Sequence, residues 1–280
     1  MVYVNGKITE NNEARISVYD HGLLYGDGVF EGLRIYNGGI FKLDAHMDRL
    51  YESAKAILLD IGMEKEELKR EVLSVMKASD KTDGYIRLIV TRGEGFLGID
   101  PSKCAKPTVI IIVDNISLYP EEMYRNGIEV ITASVRRLPP DGVDPRIKSL
   151  NYLNNILGKI EAKHAGCAEA VMLNSQGRVA ECTVDNIFIV KRGVLKTPPL
   201  YDGPLGGITR ETILELSVEA GIPTAEESMT CFDLYTADEM FLTGSGAEII
   251  PVVKVDGRSV GPGTPGKISQ TLRTLFKESV

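Results

Sequence analysis

Apolar residues change their spacing along this chain, from every second residue to every third or fourth and back again. The turns Asn5-Gly6 and Asn37-Gly38-Gly39 separate short apolar runs, and such turns are typical of β-hairpins. Helical spacing then predicts one helix that begins at Asp44, as N-cap, and runs to about Ile61, and a second over 65–78. A chain with this order of elements belongs to the mixed α/β (α+β) class.

The remaining elements divide the chain into two predicted domains. Residues 1–114 form a small α+β amino-terminal domain. The polar segment 115–125 breaks the strand pattern and is predicted to connect the domains. A larger carboxy-terminal domain follows over 126–280, with strands and helices in alternation. In its predicted helix over 151–164, four apolar residues fall on one side: Leu153, Ile156, Leu157 and Ile160.

Composition and charge exclude several classes of protein. Of the 280 residues, 43% are hydrophobic and 25% are charged, which is ordinary for a globular protein. The net charge of -7 argues against a nucleic-acid partner, because such proteins carry a basic excess. No apolar run approaches the ~18 residues that a membrane span needs, and the amino terminus has no apolar signal core. We therefore expect a cytoplasmic protein with no membrane partner.

The cysteines and histidines form no pattern that is typical of a metal site. The four cysteines, Cys104, Cys167, Cys182 and Cys231, have no short paired spacing, so a zinc site is not expected. Three histidines leave little for a His-based metal site or a Ser-His-Asp triad. We expect free thiols and no bound metal.

One basic and one acidic residue stand in runs that suit the chemistry of an aldehyde cofactor. Lys148 lies in PRIKSLNYLNN, and Glu181 lies in GRVAECTVDN. A lysine amine can form a Schiff base with such a cofactor, and a buried carboxylate can keep its pyridine nitrogen protonated. Most of the 32 Lys and Arg residues must be solvated, so Lys148 alone is weak evidence and the surrounding runs carry the argument.

Six sequence runs occur in the order seen in class IV aminotransferases, and the chain resembles that family from about residue 3 to residue 275. The runs are YDHGLLYGDGVFEGLRIYNG, FKLDAHMDRLYESA, KSLNY, AECTVDNIF, GGITR and FLTGSGAEIIPV. Each run alone is weakly specific, whereas six in the right order are strong together. The resemblance implies a two-domain, fold type IV enzyme with a small α/β amino-terminal domain and a larger barrel-like carboxy-terminal domain. Within the class, the chain is most similar to branched-chain amino-acid aminotransferases.

The resemblance also implies pyridoxal 5′-phosphate as the cofactor and assigns residues to hold it. Lys148 matches the Schiff-base lysine, which would also carry a proton between the substrate Cα and the cofactor. Glu181 matches the partner of the pyridine nitrogen, and Arg49 matches the phosphate-binding arginine. Tyr152, which follows Lys148 by one helical turn, would hydrogen-bond the phenolic oxygen of the cofactor.

Two turns rich in small residues are candidates for binding the phosphate group. GPLGGITRETILEL places Gly207 just before a predicted helix, so the amides of Ile208 and Thr209 would point at an anion. The Thr209 hydroxyl would add a donor, and the helix dipole favours negative charge at that end. In TGSGAE, Ser245 would contribute its hydroxyl where the family often has threonine.

The substrate is expected to meet residues from both halves of the sequence. The resemblance matches four residues to the pocket of the branched-chain enzymes: Tyr25, Phe30, Tyr85 and Arg87. Alternation along a strand places Tyr85 and Arg87 on one face, where Arg87 would take the distal carboxylate of glutamate. The α-carboxylate would meet the Tyr85 hydroxyl and the amides of Gly246 and Ala247. The predicted partners are small-molecule amino acids and 2-oxo acids. The predicted reaction is ping-pong transfer of the amino group of L-leucine, L-isoleucine or L-valine to 2-oxoglutarate.

Other activities stay open at the level of the sequence. D-amino-acid aminotransferases usually carry an arginine and a histidine after this strand, and here Arg92 is present without the histidine. KSLN lacks a glycine that is usual in the branched-chain enzymes, a feature shared with the D-specific enzymes. Aminodeoxychorismate lyases belong to the same class. Since a fold does not decide the reaction, this activity also stays open. A non-catalytic protein that binds pyridoxal phosphate is the last hypothesis.

Assembly and one ion pair are further expectations. Members of the family are dimers or larger, so we expect a homodimer or a higher homo-oligomer. The segment Phe96–Pro101 is the candidate for a loop that completes the partner's site. Glu31 and Arg34 are expected to form an ion pair that supports the site.

Overall fold

The computed structural model describes residues 1–116 and 118–280, and this part of the chain divides into two compact units. Unit 1 comprises Met1–Ile116 together with Ile147–Asn151. Unit 2 comprises residues 118–146 together with Tyr152–Val280. Residue 117, inside the predicted connection, lies outside the described residues. The segment from 147 to 151 differs from the predicted division, which assigned it to the carboxy-terminal domain.

Unit 1 contains an antiparallel sheet and two long helices. Its elements are β1 (Val2–Val4), β2 (Lys7–Thr9), α1 (His21–Tyr25), β3 (Gly28–Tyr36), β4 (Gly39–Ile40), α2 (Leu43–Ala56), α3 (Lys65–Ala78), β5 (Gly84–Thr91) and β6 (Thr108–Asp114). The six strands follow the order β2-β1-β6-β5-β3-β4. Both predicted hairpins are present, and Asn5 and Asn37 turn them with positive φ.

The core of unit 1 lies between the sheet and the apolar faces of α2 and α3. The helices bury residues at helical spacing, while β3 and β5 contribute every second residue. Fully buried side chains of this core include Met47, Leu50, Leu68, Ile86 and Leu88. The helix α3 begins and ends at its predicted residues, because its apolar stripe is regular from end to end.

The first long helix, α2, starts differently from its prediction. Its N-cap is Lys42, in the left-handed conformation, and Asp44 is not the N-cap. Asp44 lies instead in the first turn, where its carboxylate pairs with Lys69 of α3 at 2.6 Å. The acidic side chain therefore meets the positive end of the helix and also links the two helices.

The helix α2 ends at Ala56, before Ile61, its predicted end, and the backbone closes it there. Leu58 has a φ of 52°, and the Leu59 N–H donates to the Ala54 carbonyl at 2.8 Å. This bond pattern around a left-handed residue ends many helices. Arg92 then donates to the Leu58 carbonyl at 2.6 Å, so a distant cation satisfies a terminal acceptor. The helix is therefore shorter than its periodicity predicts.

Unit 2 contains a nine-stranded mixed sheet and several helices. Its elements are α4 (Glu121–Asn126), β7 (Ile128–Thr132), α5 (Leu153–His164), β8 (Glu169–Leu173), β9 (Val179–Cys182), β10 (Asn186–Lys191), β11 (Val194–Thr197), α6 (Ile208–Glu219), β12 (Thr224–Glu226), α7 (Cys231–Tyr235), β13 (Glu239–Gly244), β14 (Glu248–Val255), β15 (Arg258–Ser259) and α8 (Lys267–Glu278). The strand order is β12-β11-β10-β13-β14-β7-β8-β9, and β15 pairs with β14.

This sheet contains both parallel and antiparallel strand pairs. β7 lies parallel to both β14 and β8, and β11 lies parallel to β12, whereas the other pairs are antiparallel. The short elements α1, α4, β11, β12 and β15 were not predicted, and α4 begins inside the predicted connection. In the described residues, no helix is long and apolar enough to cross a membrane.

The helix α5 presents its apolar stripe to the outside. The four apolar residues predicted on one side of this helix are exposed by between 43% and 67%. Its buried side carries Asn155, Gly158 and Ala162. A Cβ at Gly158 would lie 3.2 Å from Thr183 Cγ2, so small residues let the helix approach its neighbours closely. Helical periodicity is therefore present, but the small and polar side of the helix faces inward.

Candidate active site

Lys148 lies in the short segment that unit 1 takes from the middle of the chain. The Phe30 N–H donates to the Lys148 carbonyl at 2.9 Å, and the Leu150 N–H donates to the Gly28 carbonyl at 2.9 Å. The Lys148 N–H donates to Ser53 Oγ at 3.2 Å. These bonds pair the segment with β3, so the structure places the lysine in unit 1, whereas the sequence assigned it to the carboxy-terminal domain.

The side chain of Lys148 meets aromatic and basic residues on one face of unit 1. Its Nζ lies 4.6 Å from the centroid of the Phe30 ring. The Arg87 guanidinium carbon lies 4.6 Å from the same ring and 5.4 Å from the Tyr85 ring. Tyr85 and Arg87 share a face of β5, as alternation predicts. The structure thus brings together an amine, a guanidinium and two aromatic rings.

Gly32 makes room for Tyr85 on this face. It is the register partner of Arg87 across the β3–β5 ladder. A Cβ built at Gly32 would lie 2.0 Å from the Tyr85 hydroxyl oxygen and 2.8 Å from Tyr85 Cζ. The hydroxyl therefore lies close over the backbone of β3, and this arrangement needs glycine at position 32. Sequence reasoning did not single out Gly32, and its only signal was a glycine inside an apolar strand.

Glu31 points to the other side of β3, where it is fully buried and ion-paired. Its Oε1 accepts from Arg49 Nε at 2.7 Å, and its Oε2 accepts from Arg49 Nη2 at 2.8 Å. His46 Nδ1 lies 2.7 Å from the same Oε2. Burial raises the pKa of Glu31, but the charge of Arg49 and the hydrogen bonds from Arg49 and His46 outweigh burial. The Glu31 pKa therefore lies well below its usual range.

His46 is the neutral member of this cluster. Burial is the largest cause of its lowered pKa, and Glu31 opposes the shift while the charges of Arg49 and Lys148 add to it. A neutral imidazole has one N–H, and the short contact to the carboxylate assigns that proton to Nδ1. Arg49, the predicted phosphate residue, is thus held by Glu31, and the charge of Lys148 reaches the same cluster.

The predicted ion pair between Glu31 and Arg34 is wrong. Residues three positions apart on a strand point to opposite faces, so these two side chains cannot meet. Arg34 lies on the opposite face, with its guanidinium carbon 4.8 Å from the Tyr36 ring. A carboxylate between two buried positions, Val29 and Leu33, was the signal for a buried partner from elsewhere in the chain.

In unit 2, the predicted pyridine partner Glu181 lies buried in β9. Arg137 Nη2 lies 2.7 Å from Glu181 Oε1. Glu181 Oε2 accepts from the Leu205 N–H at 3.0 Å and from Asn186 Nδ2 at 3.3 Å. Both side chains of the ion pair are less than 10% exposed, at 9% for Arg137 and 6% for Glu181. A buried acid therefore has the cationic partner that its burial requires.

The partners of Glu181 continue into helix α5, next to Tyr152. Arg137 Nη1 donates to Asn155 Oδ1 at 3.0 Å, and Asn155 Nδ2 donates to the Thr183 carbonyl at 2.6 Å. Tyr152 is the half-buried N-cap residue of the same helix. Sequence reasoning missed Arg137 and Asn155. The only signal was a pair of arginines in SVRRLPP, just before a proline-rich loop.

The predicted phosphate loop lies at the start of α6. Gly207 is the N-cap, with φ -74° and ψ 134°. A Cβ at Gly207 would lie 1.9 Å from Asn186 Oδ1, so glycine lets the helix begin against the residue that bonds Glu181. Thr209 is buried in the first turn. The first amides of a helix, including those of Ile208 and Thr209, have no acceptor within the helix itself.

The second predicted turn joins β13 to β14. Ser245, Gly246 and Ala247 form this turn, and Ala247 is buried. The hydroxyl of Thr243, just before the turn, is buried and has no hydrogen-bond partner in the part of the chain that the structure describes. Asn186 is the register partner of Thr243 in β10. Because β13 pairs with β10, this turn lies beside the start of β10, the strand that follows β9 and Glu181 in the chain.

Tyr25 contacts the segment that was predicted to cross to a partner. Its hydroxyl accepts from the Gly98 N–H at 2.8 Å, and its ring meets the His21 ring edge-on at 4.9 Å. His21 Nε2 lies 2.9 Å from the Phe96 carbonyl oxygen. Phe96 and Ile99 are 78% and 82% exposed. Two aromatic residues of α1 therefore hold a loop with an exposed apolar tip.

The residues of each unit suit one part of pyridoxal phosphate. Unit 1 provides the Lys148 amine for an aldehyde and the Arg49 guanidinium for a phosphate. Unit 2 provides the buried Glu181 for a protonated ring nitrogen and the start of α6 for an anion. Across residues 1–116 and 118–280, no three His, Cys, Asp or Glu side chains form a metal-binding group.

Comparisons with known sequences agree with this chemistry. The sequence model of the family described as amino-transferase class IV matches residues 28–255. A relative from Methanocaldococcus jannaschii, provisionally named a branched-chain-amino-acid aminotransferase, is 52% identical over 277 residues, covering 99% of this chain and 95% of the relative. A D-alanine aminotransferase from Bacillus licheniformis is 36% identical over 280 residues, covering 100% of this chain and 96% of the relative.

Solved structures have the same fold. The branched-chain amino acid aminotransferase of Escherichia coli has a TM-score of 0.96 at 34% identity, covering 99% of this chain and 93% of that chain. The T.th. branched-chain amino acid aminotransferase, complexed with N-(5′-phosphopyridoxyl)-L-glutamate, has a TM-score of 0.93 at 34% identity, with coverage of 99% and 93%. The 4-amino-4-deoxychorismate lyase from Pseudomonas aeruginosa has a TM-score of 0.88 at 32% identity, with coverage of 100% and 99%.

These matches confirm the predicted fold type IV, with its mixed α/β architecture, and family membership implies the predicted cofactor. They also include enzymes of more than one activity, so the family does not choose the substrate. This chain belongs to the class IV aminotransferase family and is an aminotransferase.

Proposed function

We propose that the protein transfers the amino group of a branched-chain L-amino acid to 2-oxoglutarate. The observation that carries this proposal is the group on one face of unit 1, where the Lys148 amine, the Phe30 and Tyr85 rings and Arg87 lie together. An aromatic wall suits an aliphatic side chain, and a guanidinium suits the distal carboxylate of glutamate. One surface can then serve two unlike substrates in alternate half-reactions, which is ping-pong transfer.

Four residues take the main roles toward the cofactor in this proposal. Pyridoxal phosphate, when bound, supplies the electron sink. Lys148 Nζ would hold the aldehyde of the cofactor, and, once the substrate amine takes its place there, the Lys148 amine would carry a proton to and from the substrate Cα. Arg49 holds the phosphate, and Glu181 keeps the ring nitrogen protonated while Arg137 balances its charge. The close packing of Glu181 with Arg137 supports this assignment.

Smaller groups complete the proposed site. Tyr152 donates to the phenolic oxygen of the cofactor, and the Tyr85 hydroxyl holds the substrate α-carboxylate. Tyr25 lines the side-chain pocket. Backbone amides and small hydroxyls bind the phosphate and the α-carboxylate; these come from Gly207, Ile208, Thr209, Ser245, Gly246 and Ala247. The glycine N-cap of α6 supports the phosphate assignment, because a side chain there would collide with Asn186.

Named relatives favour the branched-chain substrates but leave two alternatives to test. One relative carries the D-alanine aminotransferase name, and one solved neighbour is a lyase. Arg92, the candidate for capture of a D-amino acid carboxylate, is engaged within unit 1. It pairs with Asp27 at 2.9 and 3.0 Å and donates to the carbonyls of Ile57 and Leu58. A residue that holds the end of α2 is poorly placed to capture substrate.

The spectrum of the purified protein, loaded with pyridoxal phosphate, tests the proposal. L-leucine should abolish the visible absorption, and 2-oxoglutarate should restore it with release of glutamate. Loss of absorption with D-alanine but not with L-leucine would assign the D-specific activity. Release of pyruvate from aminodeoxychorismate would assign the lyase.

A matched pair of lysine variants separates an enzyme from a non-catalytic binder. Lys148→Ala should lose turnover by roughly four orders of magnitude or more, because the proton carrier acts in the chemical step. Lys163→Ala, at an exposed position of α5, should keep it. Full turnover of Lys148→Ala would refute the assignment of Lys148.

A cytoplasmic homodimer or higher homo-oligomer is also part of the proposal. The exposed apolar tip of the Phe96–Pro101 loop and the exposed apolar stripe of α5 support assembly, because such patches on a chain usually mark a contact. Light scattering on purified protein should give at least twice the mass of one 30.6 kDa chain. A monomer that is fully active would contradict a site completed by a partner's loop.

A further inference from the structure

We propose that Glu31, together with His46, is a positioning residue that fixes Arg49 for the cofactor phosphate. This inference rests on the proposed function, because it concerns how the chain holds pyridoxal phosphate. Glu31 is fully buried on the core side of β3, so it acts through Arg49 and touches neither cofactor nor substrate. It is therefore a specific addition to the residues that the resemblance assigns.

The first argument is the geometry of the Glu31–Arg49 contact. The carboxylate takes two hydrogen bonds from one edge of the guanidinium, at 2.7 Å from Nε and at 2.8 Å from Nη2. A fork of this kind fixes both the plane and the direction of the arginine head. Arg49 is only 12% exposed, although it lies on a helix where an arginine could reach water. Glu31 thus turns a long, flexible cation inward from α2.

The second argument is the role of His46, which restricts the carboxylate itself. His46 and Arg49 are three positions apart on α2, so they lie side by side on one helix face. Both contact Glu31 Oε2, at 2.7 Å from His46 Nδ1 and 2.8 Å from Arg49 Nη2. Rotation of the carboxylate would break three hydrogen bonds at once. One strand and one helix therefore lock the position of a single guanidinium.

The third argument compares this cluster with a second fork in unit 1. Asp27 binds Arg92 through the same two nitrogens, at 2.9 Å for Nε and 3.0 Å for Nη2. Arg92 goes on to cap the carbonyls at the end of α2, which is a structural task. Arg49 instead belongs to a cluster in which the charge of Lys148 helps to lower the pKa of His46. Two similar forks with different surroundings provide a matched control.

The test compares binding of pyridoxal phosphate with binding of pyridoxal, which lacks the phosphate. Apoprotein is titrated with each compound and the dissociation constants are measured by absorbance. Glu31→Gln should weaken pyridoxal phosphate binding about tenfold or more, because the fork loses its charge. It should leave pyridoxal binding within about twofold. Asp27→Asn should leave the ratio of the two dissociation constants unchanged, even if it lowers the midpoint of urea unfolding.

His46 variants add a readout that a purely structural role would not move. His46→Asn keeps a donor near the place of Nδ1 and should bind pyridoxal phosphate like the parent protein. His46→Leu removes the donor and should weaken the phosphate-dependent part of binding. In an Arg49→Met background, Glu31→Gln should add less than about twofold, because residues of one network are not additive. Glu31→Asp, too short for the fork, replaces Glu31→Gln if that variant does not fold.

The results distinguish failure of the positioning role of Glu31 from failure of the proposed function. Equal loss of affinity for both compounds in Glu31→Gln, or a loss that persists in the Arg49→Met background, would overturn the positioning role. Parent protein that binds no pyridoxal phosphate would overturn the proposed function and this inference together. If the parent protein binds pyridoxal phosphate but Glu31→Gln leaves the ratio of the two dissociation constants unchanged, the inference alone is overturned.

Discussion

Replacing Gly32 with alanine tests how β3 holds the Tyr85 hydroxyl. The new Cβ would lie 2.0 Å from Tyr85 Oη, 2.8 Å from Cζ and 3.3 Å from Cε2. Non-bonded heavy atoms reach their best contact at about 3.5 Å, so the hydroxyl must move by roughly 1.5 Å. The phenol can swing outward because Tyr85 is only half-buried. The change therefore acts on the position of one hydroxyl more than on the fold.

The magnitude follows from the proposed role of that hydroxyl. A hydrogen bond to a charged group such as the substrate α-carboxylate is worth about 1.5–3 kcal/mol, which corresponds to roughly 10- to 150-fold in kcat/KM. Misplacement of a positioning group by ~1 Å costs about 100-fold, which agrees with this range. Stability should change by less than about 1 kcal/mol, because alanine in a strand restricts the unfolded chain and offsets part of the strain.

The assay is steady-state transamination of L-leucine with 2-oxoglutarate. Gly39→Ala is the control, because a Cβ at Gly39 meets nothing closer than the Tyr36 carbonyl oxygen at 3.5 Å. Gly39→Ala should keep parental kcat/KM, while Gly32→Ala loses it. In a Tyr85→Phe background, Gly32→Ala should add less than about threefold, because the hydroxyl is already absent.

Two results would refute this reasoning. Parental kcat/KM in Gly32→Ala would show that the Tyr85 hydroxyl does not need its observed position. A full additional loss in the Tyr85→Phe background would show that alanine acts by narrowing the pocket instead. Unfolding in urea, followed by circular dichroism, separates either result from a general loss of structure.

Three further predictions concern charge and packing. Burial, and then the charge of Glu169, raises the pKa of Asp185 to about 8 from an ordinary 3.8, so its stabilising contribution is complete below about pH 4 and lost as pH rises through about 8. Asp185→Asn should therefore gain stability over the parent as pH rises from 5 to 8, and urea midpoints that run parallel from pH 5 to pH 9 would contradict this. Arg87→Met should lower kcat/KM about tenfold or more for glutamate and less for leucine, measured as separate half-reactions; equal losses would remove its role in dual recognition. Leu50→Ala, at a fully buried site, should cost about 2–5 kcal/mol in urea unfolding, whereas Leu58→Ala, at an 87% exposed site, should cost less than about 0.5 kcal/mol.

Long elements with regular periodicity were predictable from the sequence. The helix over Lys65–Ala78 occurs at its predicted residues. Its apolar pattern repeats over several turns, so local spacing is enough. Short elements such as α1 and β11 were missed, because four or five residues carry too little periodicity. The end of α2 was misplaced because a left-handed Leu58 and a distant Arg92 decide it.

The side of an element that faces inward was less predictable. In α5 the apolar stripe is exposed, and Asn155 and Gly158 are buried. Asn155 is buried because it bonds Arg137 and the Thr183 carbonyl, and Gly158 because a larger residue would crowd Thr183. Hydrophobicity alone cannot identify such a side, since the partners come from other parts of the chain.

The order of residues was enough to establish the class of elements, the family and most of the candidate site residues, because ordered short motifs and local spacing are properties of neighbouring residues. The folded chain was needed to show that Lys148 pairs with β3, that Glu31 holds Arg49 and His46, and that Arg137 holds Glu181. These contacts join residues far apart in the chain. They depend on strand register, on the face that each side chain takes and on the burial that makes a charge need a partner, and local spacing contains none of these.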